Sequence, residues 1–588
     1  MTTLVWVGAA SRGADPAPPT RAPPARVRLV VVIVVDQFRA DYLTRFESLF
    51  GADGFLRPGF ARFTQAYFRH GTTSTGPGHA TISTGAPPSV HGIVGNEWYR
   101  RADGVRVYCV DDEHCAPLGP ESSRQTAEQR RDEGAHGSSP ANLIGTTLGD
   151  QLKLATGRRA RVWGVALKDR AAVLLGGKLA DGAIWWDSQT GAFVSSSYYF
   201  SELPGWLAQL NEQRIADRFY GARWERCLPE SIYAQYARAD DAPYERGPSV
   251  HLSNTFPKVI GGEQSRSETD DSRKVVLPPD YYEALSATPF ANELVFDVVR
   301  RLIEAEDLGV ARGNSAADGA APDLVVIGLS ANDAVGHLFG PFSHEVLDMA
   351  VRTDRQIGEF LNWLDRRVGL EHCLVAVTAD HGAGLESEYA QELRLGGGRV
   401  EPKKLIEDVE AALTQRCGPA GGGRHYVLGL KAPWLYLDSV LMVEKEIAGP
   451  EAARVAASAL AHLGSIPRPG IGAAYPGDLP YLREAALADP IAACALYSAY
   501  EGRSGDVYVH LAPFWAFSTQ AAEHSSANSY DRHVPILLSG PGVKPARYSQ
   551  EVDVCDLAVT LAALLEIEPP VNAAGRVLNQ ALLETAPR

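Results

Sequence analysis

Unbroken runs of β-branched and aliphatic residues, each closed by an acid, recur along the chain and predict a parallel sheet buried on both faces. The first is Val27 to Val35, ending in Asp36. The second, Asp323 to Ser330, leads into Asn332 and Asp333, and the third, Cys373 to Thr378, leads into Asp380 and His381. Ligands of open α/β sheets bind at the carboxyl ends of the strands, so these acids are expected to converge on one site. Between the strands the period lengthens. Leu347, Ala350, Ile357, Leu361 and Leu364 recur in three- and four-residue steps and predict an amphipathic helix over Ser343 to Asp365. VCDLAVTLAALLEI at 554–567 predicts a closing helix stopped by Pro569 and Pro570. Residues 97–290 and 385–520, with punctuation such as GPAGGG at 418–423, fit this alternation poorly and are expected to be insertions that cap or wall the site. Residues 1–26, rich in Pro, Ala and Arg from 11 onward, read as a leader or linker ahead of one catalytic domain over 27–588.

Composition narrows the class. With 45% hydrophobic and 22% charged residues among 588, the chain is globular rather than disordered, collagen-like or coiled-coil. Its 56 Lys and Arg against 71 Asp and Glu leave a net charge of −15, and no dense basic cluster marks a nucleic-acid partner. The longest strongly apolar run, Leu29 to Val35, falls far short of the roughly 20 residues that span a bilayer. Seven cysteines without a C-x-x-C exclude a disulfide framework, and spacing alone leaves open whether Cys109 and Cys115 bridge. The apolar patch Leu4 to Val7 lacks a basic flank and is compatible with a clipped export signal.

The segment TTSTGPGHATISTG puts a hydroxyl, Thr75, ahead of a helical stretch at His79 to Thr84. Helix N-termini favour anions, so Thr75 either meets a phosphate or sulfate or simply caps the helix. As a nucleophile it needs a metal or a base. Asp333 and His337 are four apart, so one helical turn aligns them as a pair suited to zinc. Asp380 and His381 are neighbours at a strand end, and His524 or His533, flanking Tyr530 and Asp531, brings another imidazole to the same edge. Lys168 and Arg170 sit two apart in VWGVALKDRAAVLL, a strand-like run that predicts both on one face. Buried cations need partners, either a structural carboxylate or a dianionic phosphate.

Six segments in order, VVIVVDQFRADYL, TGPGHATISTG followed by HGIVGNEWY, VALKDRAAVLLGGK, SANDAVGHLFGP, TADHG and HSSANSYDRHVPILLSG, resemble the alkaline phosphatase superfamily, and most closely its PafA-type branch with a threonine nucleophile. The resemblance runs from Arg28 to Pro570. It implies an α/β three-layer sandwich with a mostly parallel central sheet and large cap insertions. It also implies two Zn²⁺ per chain, one held by Asp36, Asp380 and His381 beside Thr75, the other by Asp333, His337 and His524. His524 is preferred to His533 because it has the family's six-residue spacing to Tyr530, although Ser525 and Ala527-Asn528 depart from the family's His-Gly-Ser-Pro-Tyr. Asn96, Lys168 and Arg170 are implied to contact phosphoryl oxygens, and the Lys/Arg pair resembles the mark of monoesterases. The similar nucleotide pyrophosphatase/phosphodiesterase branch lacks that pair. The sulfatase branch needs Cys-x-Pro-x-Arg near the first motif, and the nearest match, Cys227 to Ser231, lies far downstream and ends in serine.

The implied activity is zinc-dependent hydrolysis of small-molecule phosphate monoesters through a phosphothreonine, with release of inorganic phosphate. A monomer in the periplasm or outside the cell is the expectation. A phosphodiesterase in which Lys168 and Arg170 are structural, and a catalytically silent metal- or phosphate-binding protein, remain as alternatives.

Overall fold

The structure, a computed structural model, describes residues 26–120, 136–245, 252–261, 277, 279–310, 321–465 and 470–583. The leader, apart from Arg26, lies outside the described residues. All three aliphatic runs are strands of one eleven-stranded sheet. Leu29–Val35 lies at its centre, flanked in parallel by Asp323–Leu329 and Cys373–Thr378. Every residue of Leu29–Val35 is buried, as a strand covered on both faces requires. Val35 pairs with Leu329 and Val34 with Thr378. That register sends the chain out of the sheet side by side at Asp36, Ser330 and Asp380.

Val162–Ala166 and Gly182–Asp187 extend the parallel block, and Ala192–Ser196 then pairs antiparallel. On the opposite flank His533–Ser539 runs antiparallel to both Cys373–Thr378 and Ala61–Tyr67. The sheet is therefore parallel in its middle and mixed at its edges. Helices Thr75–Thr84 and Asp169–Gly176 pack together in one layer, while Pro289–Ala305, Ala331–Phe339 and His344–Arg367 form another. His344–Arg367 has the predicted apolar stripe buried, and Ser343 caps it by accepting from the Val346 N–H at 3.1 Å. The closing helix, Asp556–Leu564, is shorter than predicted. It ends in a left-handed turn at Glu566, φ 55°, well before the prolines.

The tract 97–290 is not wholly an insertion, since it supplies Val162–Ala166, Gly182–Asp187 and Ala192–Ser196 to the central sheet. VWGVALKDRAAVLLG, which reads as one strand-like run, is a strand, a turn at Leu167 and Lys168, and the helix Asp169–Gly176. Alternation across a strand therefore does not relate Lys168 to Arg170. Lys168 occupies the N-cap position and Arg170 the first turn of the helix. The small residues that make the run look uniform are there for contact: a Cβ on Gly164 would lie 2.2 Å from the Ala172 carbonyl oxygen.

The tract 385–520 contains a second sheet, which packs Trp434, Tyr436 and Tyr508 against Ala80, Trp98 and Val173 of the main body. Val427–Lys431, Trp434–Leu437, Val507–Leu511 and Ile471–Pro476 form a four-stranded antiparallel sheet in that order. Leu405, Val409, Leu413, Leu435 and Leu460 give it a core of its own. Cys109 and Cys115 are unbridged, and the Cys115 thiol donates to Asp112 at 3.3 Å. Among the described residues no helix is long and apolar enough to cross a membrane.

Candidate active site

The strand ends bring Asp36 and Asp380 each within reach of His381, and the helix Ala331–Phe339 adds Asp333 and His337 on one face, as their spacing predicts; the compact donor groups are Asp36, Asp333 and His381 and Asp333, His337 and His524. His524 arrives from the loop preceding His533–Ser539. Asp333 Oδ1 lies 3.2 Å from His337 Nε2 and 3.6 Å from His524 Nε2, and the two imidazole nitrogens are 3.1 Å apart. His381 Nε2 lies 3.5 Å from Asp36 Oδ1 and 3.5 Å from Asp380 Oδ2. Asp333 is close enough to belong to both groups, with His337 and His524 on one side and Asp36 and His381 on the other. His533 is elsewhere, its Nε2 2.9 Å from the Thr64 carbonyl and its ring stacked on Tyr67.

These side chains fit a metal. Each of the three imidazoles engages a backbone carbonyl through Nδ1: Ala522 for His337 at 2.9 Å, Gly382 for His381 at 2.9 Å and Thr73 for His524 at 2.8 Å. A donated Nδ1–H leaves a lone pair on Nε2, the form a metal ligand needs. Among the described residues Asp36 Oδ1, Asp380 Oδ2 and His381 Nε2 are buried without hydrogen-bond partners. Such orphaned acceptors are costly, and a cation would satisfy Asp36 Oδ1 and His381 Nε2 together, since these two share a compact donor group with Asp333. Two imidazole nitrogens on a tetrahedral zinc stand about 3.3 Å apart, near the separation found between His337 and His524.

Electrostatics follow the same division. Burial, with Asp380 beside it, pushes the Asp36 carboxyl up to about 6. Burial also pushes His381 down to about 4 and His524 to about 3, which keeps both neutral. At Asp333 burial works upward too, but His337 and Lys168 outweigh it and hold the carboxyl well below its usual range.

The helix of the nucleophile candidate starts at Thr75, four residues earlier than predicted. Pro77 is tolerated because the first N–H groups of a helix have no intrahelical acceptor. Ser74 holds the N-cap position, so Thr75 does not cap. Its Oγ1 instead lies 3.2 Å from Lys168 Nζ and 3.5 Å from Arg170 Nη2. Lys168 also donates to Asp36 Oδ2 at 2.7 Å and to Asp333 Oδ2 at 2.6 Å. Asn96 Oδ1 accepts the Gly76 N–H at 2.7 Å, which fixes the amide with Nδ2 as its remaining donor.

Three contributors escaped the sequence reading. Gln37, held at φ 59°, donates its N–H to Asp380 Oδ1 at 3.1 Å and its side-chain amide to Asp333 Oδ1 at 2.7 Å, tying these two acids together. The glycine of SANDAVGH was its signal, because a Cβ on Gly336 would fall 1.8 Å from Gln37 Oε1. His79, one turn after Thr75, sets Nδ1 2.8 Å from the Thr75 carbonyl and 3.2 Å from Asp380 Oδ2. Tyr108 accepts from Arg170 Nη1 at 3.2 Å and donates to Asp169 at 2.6 Å, and nothing in the sequence announced it.

Gly78 sets how closely Thr75 approaches the acids. A Cβ there would lie 2.2 Å from the Asp380 carbonyl oxygen, a backbone atom that cannot swing away. Alanine in a helix gains roughly 1 kcal/mol over glycine, but overpacking costs about 1–3 kcal/mol. Gly78→Ala is therefore expected to lower the thermal unfolding midpoint and, by shifting Thr75 from its neighbours, to cut turnover by about 100-fold. An unchanged midpoint with full activity would show that the helix is free to move.

Comparisons with known proteins give the family. The model of the type I phosphodiesterase / nucleotide pyrophosphatase family matches residues 30–397. Alkaline phosphatase PafA of Elizabethkingia meningoseptica is 32% identical over 562 residues, covering 95% of this chain and 95% of its own. Alkaline phosphatase PhoV of Synechococcus elongatus is 31% identical over 565 residues, covering 95% of this chain and 93% of its own. A crystal structure of wild-type alkaline phosphatase PafA superposes with a TM-score of 0.82 at 30% identity, over 96% of this chain and 100% of that one. With its strand ends, ligand spacing and threonine helix arranged in this way, the chain belongs to the type I phosphodiesterase/nucleotide pyrophosphatase family and is an enzyme of the PafA type within the alkaline phosphatase superfamily.

Proposed function

We propose that this enzyme hydrolyses small-molecule phosphate monoesters through a covalent phosphothreonine at Thr75, with two zinc ions held by Asp36, Asp380 and His381 and by Asp333, His337 and His524. The observation that carries the reading is the Thr75 hydroxyl lying between two partly buried cations, Lys168 and Arg170, beside the acids and imidazoles of the strand ends. Zinc bound there supplies Lewis-acid charge, lowering the pKa of a hydroxyl and stabilising phosphoryl oxygens. Thr75 Oγ1 attacks phosphorus in line, its proton passes to solvent, and the P–O bond to the alcohol breaks as the alcohol is protonated. Water then attacks the phosphothreonine, restoring Thr75 and releasing inorganic phosphate. Lys168, Arg170 and the Asn96 amide, which the Gly76 N–H holds by its oxygen, supply the donors for the phosphoryl oxygens. Arg170 Nε, buried without a partner among the described residues, is a further donor for them.

Two cations suit a dianion with three non-bridging oxygens better than a diester with one charge and two such oxygens. Lys168→Ala and Arg170→Ala are each expected to lower kcat/KM for p-nitrophenyl phosphate by about 100-fold, while bis-p-nitrophenyl phosphate hydrolysis falls by less than about tenfold. Equal losses on the two substrates would return the pair to a structural role and favour the phosphodiesterase. A periplasmic or secreted location belongs to the same proposal, supported by the apolar patch Leu4 to Val7 and the family resemblance.

A further inference from the structure

A pocket adjoining the site shares His524 as a wall, with Leu385, Phe514, Trp515, Phe517 and Tyr530. His524 faces both ways: its Nε2 joins Asp333 and His337, and its ring stacks on His381 at 3.8 Å. Its Nδ1 bonds the Thr73 carbonyl, two residues before Thr75. We infer that this cavity receives the leaving group of the substrate and selects for an aromatic one without negative charge. The inference rests on the monoesterase reading and adds a substrate class to it.

Three observations carry it. The first is position. His524 belongs both to the site and to this pocket, and the proposed phosphoryl contacts Asn96, Lys168 and Arg170 do not line it, which leaves its walls for the organic group of the substrate. The second is construction. Phe514 and Tyr530 stack with centroids 5.4 Å apart and planes 16° from parallel, and the Phe514 N–H donates to Tyr530 Oη at 2.9 Å. Phe514 keeps this pose at φ 66°, a backbone region that non-glycine residues adopt only when their surroundings impose it. Trp515 is seated by two glycines, since a Cβ on Gly398 or on Gly470 would come within 2.6 Å of its indole. Ring faces fixed in advance recognise another ring at little entropic cost. The third is charge. Glu523 lines the same cavity and disfavours an anionic leaving group such as a second phosphate or a sugar acid.

Non-hydrolysable phosphonates, whose organic group stands where a leaving group would, separate this binding from chemistry. Titrated calorimetrically onto the zinc-loaded enzyme, phenylphosphonate is expected to bind about tenfold more tightly than methylphosphonate. Trp515→Ala and Phe517→Ala are each expected to bring the ratio below about threefold. A carboxyl group on the ring should cancel the preference, and Glu523→Gln should restore it. Equal affinities for the two phosphonates in the unmutated enzyme overturn the inference whether or not the variants fold. Absence of turnover on any monoester would instead overturn the monoesterase reading, and the phosphonate ratio can be measured in either case.

Discussion

Thr75→Ala is expected to lower kcat/KM for phosphate monoesters by roughly 10⁴-fold or more and to abolish phosphoryl transfer to the protein, because it removes the one hydroxyl set between Lys168 and Arg170. Its neighbours are poor substitutes. The Thr73 hydroxyl donates to the Ser526 carbonyl at 3.0 Å, and Ser74 occupies the N-cap position outside the first turn. Thr75 makes no capping bond, so its loss should leave the thermal midpoint nearly unchanged, which separates lost chemistry from lost fold. Thr75→Ser keeps the hydroxyl and is expected to retain activity within about tenfold. Mass spectrometry of acid-quenched enzyme provides the direct check: a phosphorylated peptide spanning Thr75 from the unmutated protein and none from Thr75→Ala. Undiminished labelling of the alanine variant would move the nucleophile elsewhere.

Much of this arrangement was legible in the chain because it follows from register. Leu29–Val35, Asp323–Leu329 and Cys373–Thr378 are uniformly apolar, a pattern only a doubly covered strand allows, and each is followed within a few residues by an acid. Four-residue spacing set Asp333 and His337 on one helical face for the same kind of reason. Periodicity failed at VWGVALKDRAAVLLG, where a short strand and a short helix share small apolar residues because their backbones touch. The motif nevertheless pointed to Lys168 and Arg170, whose convergence comes from the turn between the two elements. Gln37, His79 and Tyr108 stayed hidden for another reason. Each acts on a residue far away in sequence or through a backbone conformation, and neither leaves a period to read. The choice between His524 and His533 likewise needed the loop geometry that turns one toward Asp333 and the other toward Thr64.

Removal of metal is expected to be as damaging as loss of Thr75. Asp36, Asp333 and Asp380 are almost fully buried, and in a dry site like charges at close range resist ionising together. Lys168 answers two of them, yet Asp36 Oδ1, Asp380 Oδ2 and His381 Nε2 still lack hydrogen bonds among the described residues. Prolonged chelation should therefore remove essentially all turnover, and added zinc should restore it. Because a ligand that binds only the native state stabilises it, by about 4 kcal/mol at a thousandfold excess over its Kd, the stripped protein should also melt several degrees lower. Retention should fall as pH drops, since imidazole and carboxylate bind zinc only when deprotonated. Elemental analysis then tests the ligand assignment. His524→Ala is expected to lose one of two zinc ions per chain, whereas His533→Ala, whose ring lies against Tyr67, should keep both. Full activity in protein holding less than about 0.1 zinc per chain would rule out the metal, and two retained ions in His524→Ala would move the last ligand to another residue.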